Sequence, residues 1–191
     1  MSLNNITWKK VVLVSVVILA FINGYRVYKR LSQRHKTEIS WHIEKVDDLT
    51  FNSPYSIAPV NHTQELTPGE QAVVKKTQQY RSVKSGQVGL LIAMTTYVDK
   101  FEIHIDRIAK ASIQQYAQTL NDPSPGPQFS TIKDKKYHGI FANYKPSTMS
   151  NYWIRAAYVQ SGQKVYMIVL MIAGNELSEA DTVKLFDSIE L

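Results

Sequence analysis

The longest apolar stretch of the chain comes first. Val11 to Ile22 reads VVLVSVVILAFI, with Ser15 its one mildly polar member, and Lys9-Lys10 and Arg26 bracket it. Asn23 and Gly24 interrupt the run, and Tyr25, Val27 and Tyr28 extend it along a helix. A spanning helix needs about 20 apolar residues, within a usual range of about 17–25. Residues 8–28 meet that length if Lys10 and Arg26 snorkel outward. The anchor set is Trp8, Val11, Val12, Leu13, Val14, Val16, Val17, Ile18, Leu19, Phe21, Ile22 and Tyr25. Trp8 and Tyr25 stand at its two ends, where amphipathic rings favour the headgroup region. A cleaved signal peptide would need a small-x-small site, and no convincing A-x-A follows Ala20. An interfacial helix would show a polar face, which this run lacks. The pattern predicts a short tail at 1–10 and a retained transmembrane anchor at 8–28.

Residues 29–46 are basic, then polar, without strong apolar periodicity, and read as a juxtamembrane linker ending in the weak alternation of Trp41–Val46. The remainder, 47–191, reads as one α+β domain. Ala72–Val83 and Gln87–Tyr97 are strand-like runs joined by Lys84-Ser-Gly86, a hairpin signal. Ile105, Ile108, Ala109, Ile113, Tyr116, Ala117 and Leu120 recur at three- and four-residue steps, predicting a long helix. Asn121-Asp-Pro-Ser-Pro-Gly-Pro127 ends it. Strands are predicted at Phe129–Lys135, Tyr137–Tyr144, Tyr152–Gln160 and Lys164–Ala173. The last holds VYMIVLMIA, nine residues that fall short of a second span and read as a core strand. Ser178 is a good N-cap for a closing helix with Glu179 and Asp181 in its first turn. Val183, Phe186 and Ile189 are its expected inward stripe. The predicted architecture is an antiparallel sheet of about six strands, covered by the mid-chain helix and the C-terminal helix.

Charge changes the picture of a basic protein. The chain has 191 residues, a net charge of +6 and no cysteine. Seven of its 22 Lys and Arg residues precede Glu38, and none of its 16 acids does; 15 bases then face 16 acids. The basicity therefore belongs to the membrane-flanking arm, where Lys9, Lys10, Arg26, Lys29 and Arg30 suit anionic lipid headgroups. A near-neutral domain gives little support to nucleic-acid binding. Positive-inside counting, with five cations after the run against two before, leans toward a cytoplasmic domain. Short basic N-termini also stay inside, so the side is left open. The lack of cysteine excludes a disulfide framework, a thiol nucleophile and thiolate metal ligands.

Candidate chemistry is sparse. The histidines His35, His42, His62, His104 and His138 form no H-x-x-x-H or HExxH. Glu102, His104 and Asp106 would share one face on a strand, a spacing that could hold a metal; at a helix start His104 points elsewhere. The plainer reading is an exposed helix start with acids near its N-terminus. No G-x-S-x-G, P-loop or G-x-G-x-x-G occurs. Lys133, Lys135, Lys136 and Lys145 with Tyr137 and Tyr144 read as a solvated hairpin, with Asp134 interleaved, more readily than as a nucleic-acid stripe. No catalytic, cofactor or metal residue is assigned, and the chain is expected not to be an enzyme.

Residues 47–191 resemble the PsbP-like fold, shared by PsbP proteins, DcrB-type bacterial envelope proteins and the Mog family. The residues that carry this are Ile154-Arg-Ala-Ala-Tyr-Val-Gln-Ser-Gly-Gln-Lys-Val-Tyr166, the apolar strand to Ala173, the ending Leu185-Phe186-Asp-Ser188-Ile189, and Phe51…Pro54-Tyr-Ser-Ile-Ala-Pro59. The matches follow structural positions, so the resemblance implies fold more than activity. It implies a protein that binds other proteins and supports membrane or secretion assemblies. The chain departs from the DcrB type in lacking a lipobox cysteine, and no residue carries the photosystem role over.

These readings converge on a membrane-anchored accessory subunit, single-pass in a bacterial inner membrane, whose partners are the bilayer and subunits of a membrane protein complex. A chaperone or adaptor for apolar client segments is the alternative. The candidate docking residues are Asn121, Pro123, Pro125 and Pro127 in the proline loop, and Tyr144, Tyr152 and Trp153 around the aromatic connection; loop composition is the ground for both.

Overall fold

A computed structural model describes residues 39–60, 66–82, 88–119, 122, 126–132, 137–149, 152–173 and 177–191. The anchor assigned to 8–28 and its headgroup cations lie outside the described residues. Among the described residues no helix is long and apolar enough to cross a membrane.

The described elements are β1 (His42–Val46), β2 (Leu49–Ser53), β3 (Ile57–Pro59), α1 (Pro68–Gln71), β4 (Val74–Ser82), β5 (Val88–Tyr97), α2 (Ile105–Thr119), β6 (Gln128–Thr131), β7 (His138–Tyr144), β8 (Tyr152–Ser161), β9 (Lys164–Ala173) and α3 (Glu179–Asp187). The main sheet is antiparallel with strand order β3-β4-β5-β9-β8-β7-β6, and β1 and β2 form a separate hairpin. The α+β class stands, but the sheet has seven strands where the pattern suggested about six. The extra strand is β3, whose Pro59 lacks an amide donor and is tolerated because the strand sits at the sheet edge. Residues 42–46, read as the end of the linker, are strand β1. Val46 closes the hairpin against Leu49, and both are fully buried.

Strand β9 sits at the centre because its side chains are apolar on both faces. Its odd-numbered residues Met167, Val169 and Met171 face one layer with Leu91, Ala93, Ile154, Ala156 and Tyr158. Helix α2 covers that layer, burying Ile105, Ala109, Ile113 and Tyr116 at helical spacing. The even-numbered residues Tyr166, Ile168, Leu170 and Ile172 face the opposite layer with Leu90, Ile92, Met94 and Val159. The hairpin (Val46, Leu49, Phe51) and α3 (Leu185, Phe186), with Ile189 after it, close this second side.

Helix α3 begins at a capping box: Asp181 N–H donates to Ser178 Oγ at 3.1 Å and Ser178 N–H to Asp181 Oδ2 at 3.0 Å. Its buried stripe differs from the one expected. Val183 is 45% exposed, and Thr182, Leu185 and Phe186 turn inward instead. A stripe anchored on Leu185 and Phe186 places Thr182 three and four residues back, on the same face, which leaves Val183 outside. The helix end is tied to the hairpin, where Asn52 N–H donates to Ser188 Oγ at 2.7 Å and Thr50 pairs with Glu190.

A second tie holds the tip of the hairpin. Asp47, in the β1–β2 turn, has φ of 56°, a conformation that Asp tolerates better than most residues. Lys164 Nζ lies 2.6 Å from Asp47 Oδ2 and 2.6 Å from Asp48 Oδ2. The hydrogen bond from Lys164 lowers the Asp47 pKa below its ordinary 3.8, and the two carboxylates raise that of Lys164. Stability from Asp47 is therefore present above about pH 4 and is lost as acid protonates the carboxylate. Stability from Lys164 is present below its ordinary 10.5 and is lost as alkali removes the proton. Lys164→Met is expected to lower stability at neutral pH by about 0.5–1 kcal/mol, since the groups are partly exposed and screened. Urea denaturation at several pH values checks this: the gap between the two proteins should close below about pH 3. A second test concerns Gly139, where an added Cβ would lie 2.7 Å from Ile132 Cδ1 and 3.1 Å from the Tyr158 carbonyl oxygen. Gly139→Ala is expected to destabilise by about 1–3 kcal/mol in the same assay.

Candidate functional site

Antiparallel pairing places the end of β4, the start of β5, the end of β9, the start of β8, the end of β7 and the start of β6 at one end of the sheet. Asp122, just beyond α2, organises this loop end. Its carboxylate accepts the Tyr144 hydroxyl at 2.5 Å and the Ser147 backbone N–H at 3.1 Å, and it also accepts the Ser147 hydroxyl. The chain after α2 and the β7–β8 connection are thereby held together. A carboxylate accepting several donors in one turn is a strong local clasp, because charge-assisted bonds exceed neutral ones.

Beneath the clasp lies a tyrosine cluster. The Tyr116 hydroxyl donates to the Tyr152 hydroxyl at 3.3 Å, and Tyr116 meets Tyr144 edge-on with ring centroids 6.0 Å apart. Burial pushes Tyr152 up to about 12. Burial, followed by the neighbouring Tyr152, pushes Tyr116 up as well. A phenol is protonated at neutral pH in any case, and burial widens that margin. Deeper still, Tyr158 donates to Ser112 at 2.8 Å, which satisfies two hydroxyls inside the apolar layer.

On the opposite face of β8, Arg155 is a buried cation. Its Nη2 donates to Glu179 Oε1 at 2.5 Å, and its guanidinium carbon lies 4.6 Å from the Trp153 ring centroid. The Arg155 side chain is 7% exposed and that of Glu179 69%. The pair fastens the first turn of α3 onto the sheet, and stacking on an indole suits a weakly hydrated guanidinium. The Arg155 Nε is buried with no hydrogen-bond partner among the described residues.

The docking residues expected from composition are thus divided. Asn121, Pro123 and Pro125 lie outside the described residues. Pro127 is half-buried immediately before β6. Tyr144 and Tyr152, expected at a surface, are buried at 1% and 3%. They sit at strand ends on the α2 face, so their rings fill the core, the Tyr144 hydroxyl reaching Asp122 and the Tyr152 hydroxyl accepting from Tyr116. Trp153 is half-buried beneath Arg155. Among the described residues of the β7–β8 connection, Lys145, Ser147 and Thr148 are exposed. Residue-type reasoning did not single out Asp122, Ser147 or Arg155, and gave Glu179 only a place in the first turn of the closing helix. An arginine inside the apolar run Ile154–Val159 was the one available signal, because a cation there demands a partner.

Elsewhere, His104 Nε2 lies 3.6 Å from Glu102 Oε1 and both side chains are exposed, while Asp106 occupies the first turn of α2. Among the described residues no three His, Asp or Glu side chains gather as a metal site would require. Tyr137 donates to the Ile189 carbonyl at 3.1 Å, so both tyrosines of the supposed aromatic–basic stripe are engaged within the fold.

The clasp is testable on its own. Asp122→Ala is expected to destabilise by about 1–2 kcal/mol, a typical value for bonds to a charged acceptor reduced by partial exposure. Hydrogen exchange should show faster exchange of the Ser147 amide while the β8 and β9 amides keep their protection. Unchanged Ser147 protection would remove the clasp as an organising feature.

No protein-family profile matches the chain, and no curated protein matches it. Among solved structures it is similar to the solution structure of cyanobacterial PsbP (CyanoP) from Synechocystis sp. PCC 6803. That match has a TM-score of 0.47 and 12% sequence identity, and covers 84% of this chain and 97% of the other.

Proposed function

We propose that the chain is a non-enzymatic, membrane-anchored accessory subunit that docks onto a membrane protein complex and supports its assembly or stability. The observation that carries this reading is the Asp122 clasp, which ties the chain just beyond α2 to the β7–β8 connection. Pre-organised loops lose little entropy on binding, which favours recognition of a folded partner. The polar groups beneath the clasp are tyrosine hydroxyls engaged with one another and with Asp122, an arrangement that positions loops. The apolar run at 11–22 supports the anchor, and the PsbP-like pattern of residues 154–189 supports a binding role.

Shielding of apolar client helices, the alternative, calls for an open apolar sheet face. Helix α2 covers one face, and the hairpin with α3 covers the other. The docking reading is therefore preferred.

The test uses the full chain purified in mild detergent from its own membrane. A stoichiometric complex with an integral membrane protein is expected. The double variant Ser147→Arg/Thr148→Arg should weaken that complex by about tenfold or more, as charge placed in the centre of an interface does. Glu102→Arg, at the far end of the sheet, should leave it intact. A chain that migrates alone in every condition would refute the proposal.

A further inference from the structure

The outer side of β1 is an open strand edge. In the β1–β2 hairpin, the Thr50 N–H and C=O both bond to Glu190, and the Asn52 N–H bonds to Ser188 Oγ. Those groups point away from β1, so Lys45/Thr50 and Ile43/Asn52 are the non-hydrogen-bonded pairs of the ladder. By the same alternation, the N–H and C=O groups of Ile43 and Lys45 point away from β2. Residues 188–190 occupy the outer side of β2. No hydrogen bond among the described residues reaches the Ile43 or Lys45 backbone from the other side. A row of unpaired groups of this kind is a template for a further strand.

The side chains agree with the backbone. Ile43 is 77% exposed, the most exposed large hydrophobic side chain among the described residues. Lys45 is exposed on the same face, while His42 and Glu44 are half-buried and Val46 is buried. Proteins blunt open edges with charge, proline or a covering element. Here the middle position of the edge carries an isoleucine. Strand addition takes its affinity from main-chain bonds and its specificity from alternate side chains, and β1 offers both.

We infer that β1 is a self-association surface, which pairs antiparallel with β1 of a second copy about a two-fold axis at Ile43. The order of residues selects this occupant. Turned end for end about Ile43, the run His42-Ile43-Glu44 sets Ile43 against Ile43 and each Glu44 against the partner's His42. An apolar side chain meets its like, and a carboxylate faces an imidazole, the two kinds of directly opposed pair that stabilise a ladder. Glu44 and His42 already suit each other within one copy, where His42 Nε2 lies 2.8 Å from Glu44 Oε1. Moving the axis to Glu44 would oppose two carboxylates, and moving it to Lys45 would oppose two ammonium groups; like charges directly opposite are destabilising. With the axis at Ile43, each Lys45 falls opposite the partner's residue 41, and the two lysines stay apart. The pairing is isologous and consumes the free edge of both hairpins, so it closes at two copies. It uses neither the clasp nor the β7–β8 connection and does not depend on the docking partner proposed above.

The chain has no cysteine, so single cysteines report the pairing. In this register the two copies of residue 43 form a hydrogen-bonded pair with Cα atoms about 5.5 Å apart. That spacing falls within the roughly 4.4–6.8 Å that a disulfide spans. The two copies of residue 45 are separated by about 14 Å along the strands, four steps of strand rise. Full-length Ile43→Cys and Lys45→Cys chains are purified separately in detergent micelles and oxidised with copper phenanthroline. Ile43→Cys is expected to form the disulfide dimer, and Lys45→Cys only a collisional background. Equal yields from the two, or no dimer from Ile43→Cys, overturn the inference. Sedimentation equilibrium of the cysteine-free chain and of Ile43→Lys, in density-matched detergent, gives a second reading. The side chain of residue 43 stands in solvent, so the substitution leaves the monomer fold intact. The dissociation constant is expected to rise about tenfold, from a lost apolar pair and a new like-charge pair. A dimer of unchanged affinity in Ile43→Lys puts the contact elsewhere in the chain and overturns the inference as well.

Discussion

A strand that is apolar on both faces has to be covered on both faces, and this requirement on β9 organises the molecule. Nine consecutive residues, Val165 to Ala173, hold no charge, and Tyr166 supplies their one hydroxyl. Burying one face against helix α2 would leave Ile168, Leu170 and Ile172 in water. The β1–β2 hairpin and α3 cover them instead, which recruits the two extremities of the described fold, Trp41 onward and the last fifteen residues, to one layer. The ties at Lys164 and Ser188 exist at the border of that layer. They hold two short elements that would be marginal alone, since an isolated two-stranded hairpin has little independent stability.

Polar groups within the two layers follow the same demand. Tyr158 and Ser112 answer each other at 2.8 Å, and Tyr116 answers Tyr152. Arg155 is accepted inside because Glu179 and the Trp153 ring lie beside it. Removing one partner would leave a buried donor or charge exposed to the full desolvation penalty. These pairs therefore specify how α2 and α3 seat on the sheet more than they add to its net stability.

Much of this fold was legible in the sequence because its strong elements are strongly patterned. The continuous run Val165–Ala173, the three- and four-residue steps from Ile105 and the Ser178 cap all report local physics, and each gives an element at the expected place. The misreadings have long-range causes. Strand β1 alternates only weakly, since it gains its burial from Leu49, Phe51 and Ile189 beyond its own residues. Strand β3 is three residues ending in Pro59 and exists because β4 offers it an edge. Tyr144 and Tyr152 looked like exposed aromatics beside a loop, yet the strand-end positions turn both rings under α2. The clasp was hidden for a similar reason. Asp122 and Ser147 are 25 residues apart, and spacing along a chain says nothing of groups brought together by strand order.

The sealing of both faces also bears on how such a domain can recognise anything. Face-to-face contact is ruled out for the apolar layers, because α2 on one side and the hairpin with α3 on the other already occupy them. The outermost strands are short: β3 has three residues including Pro59, and β6 has four. Short, proline-bearing edges are how sheets avoid extending into their neighbours. The two ends of the sheet are built differently. At one, Lys164 is consumed by two carboxylates that close the hairpin, a contact turned inward on the fold. At the other, Asp122 spends its hydrogen bonds on holding loops in place while Lys145, Ser147 and Thr148 stay in solvent. An end whose polar chemistry fixes the backbone and leaves the side chains outward is the one suited to contact.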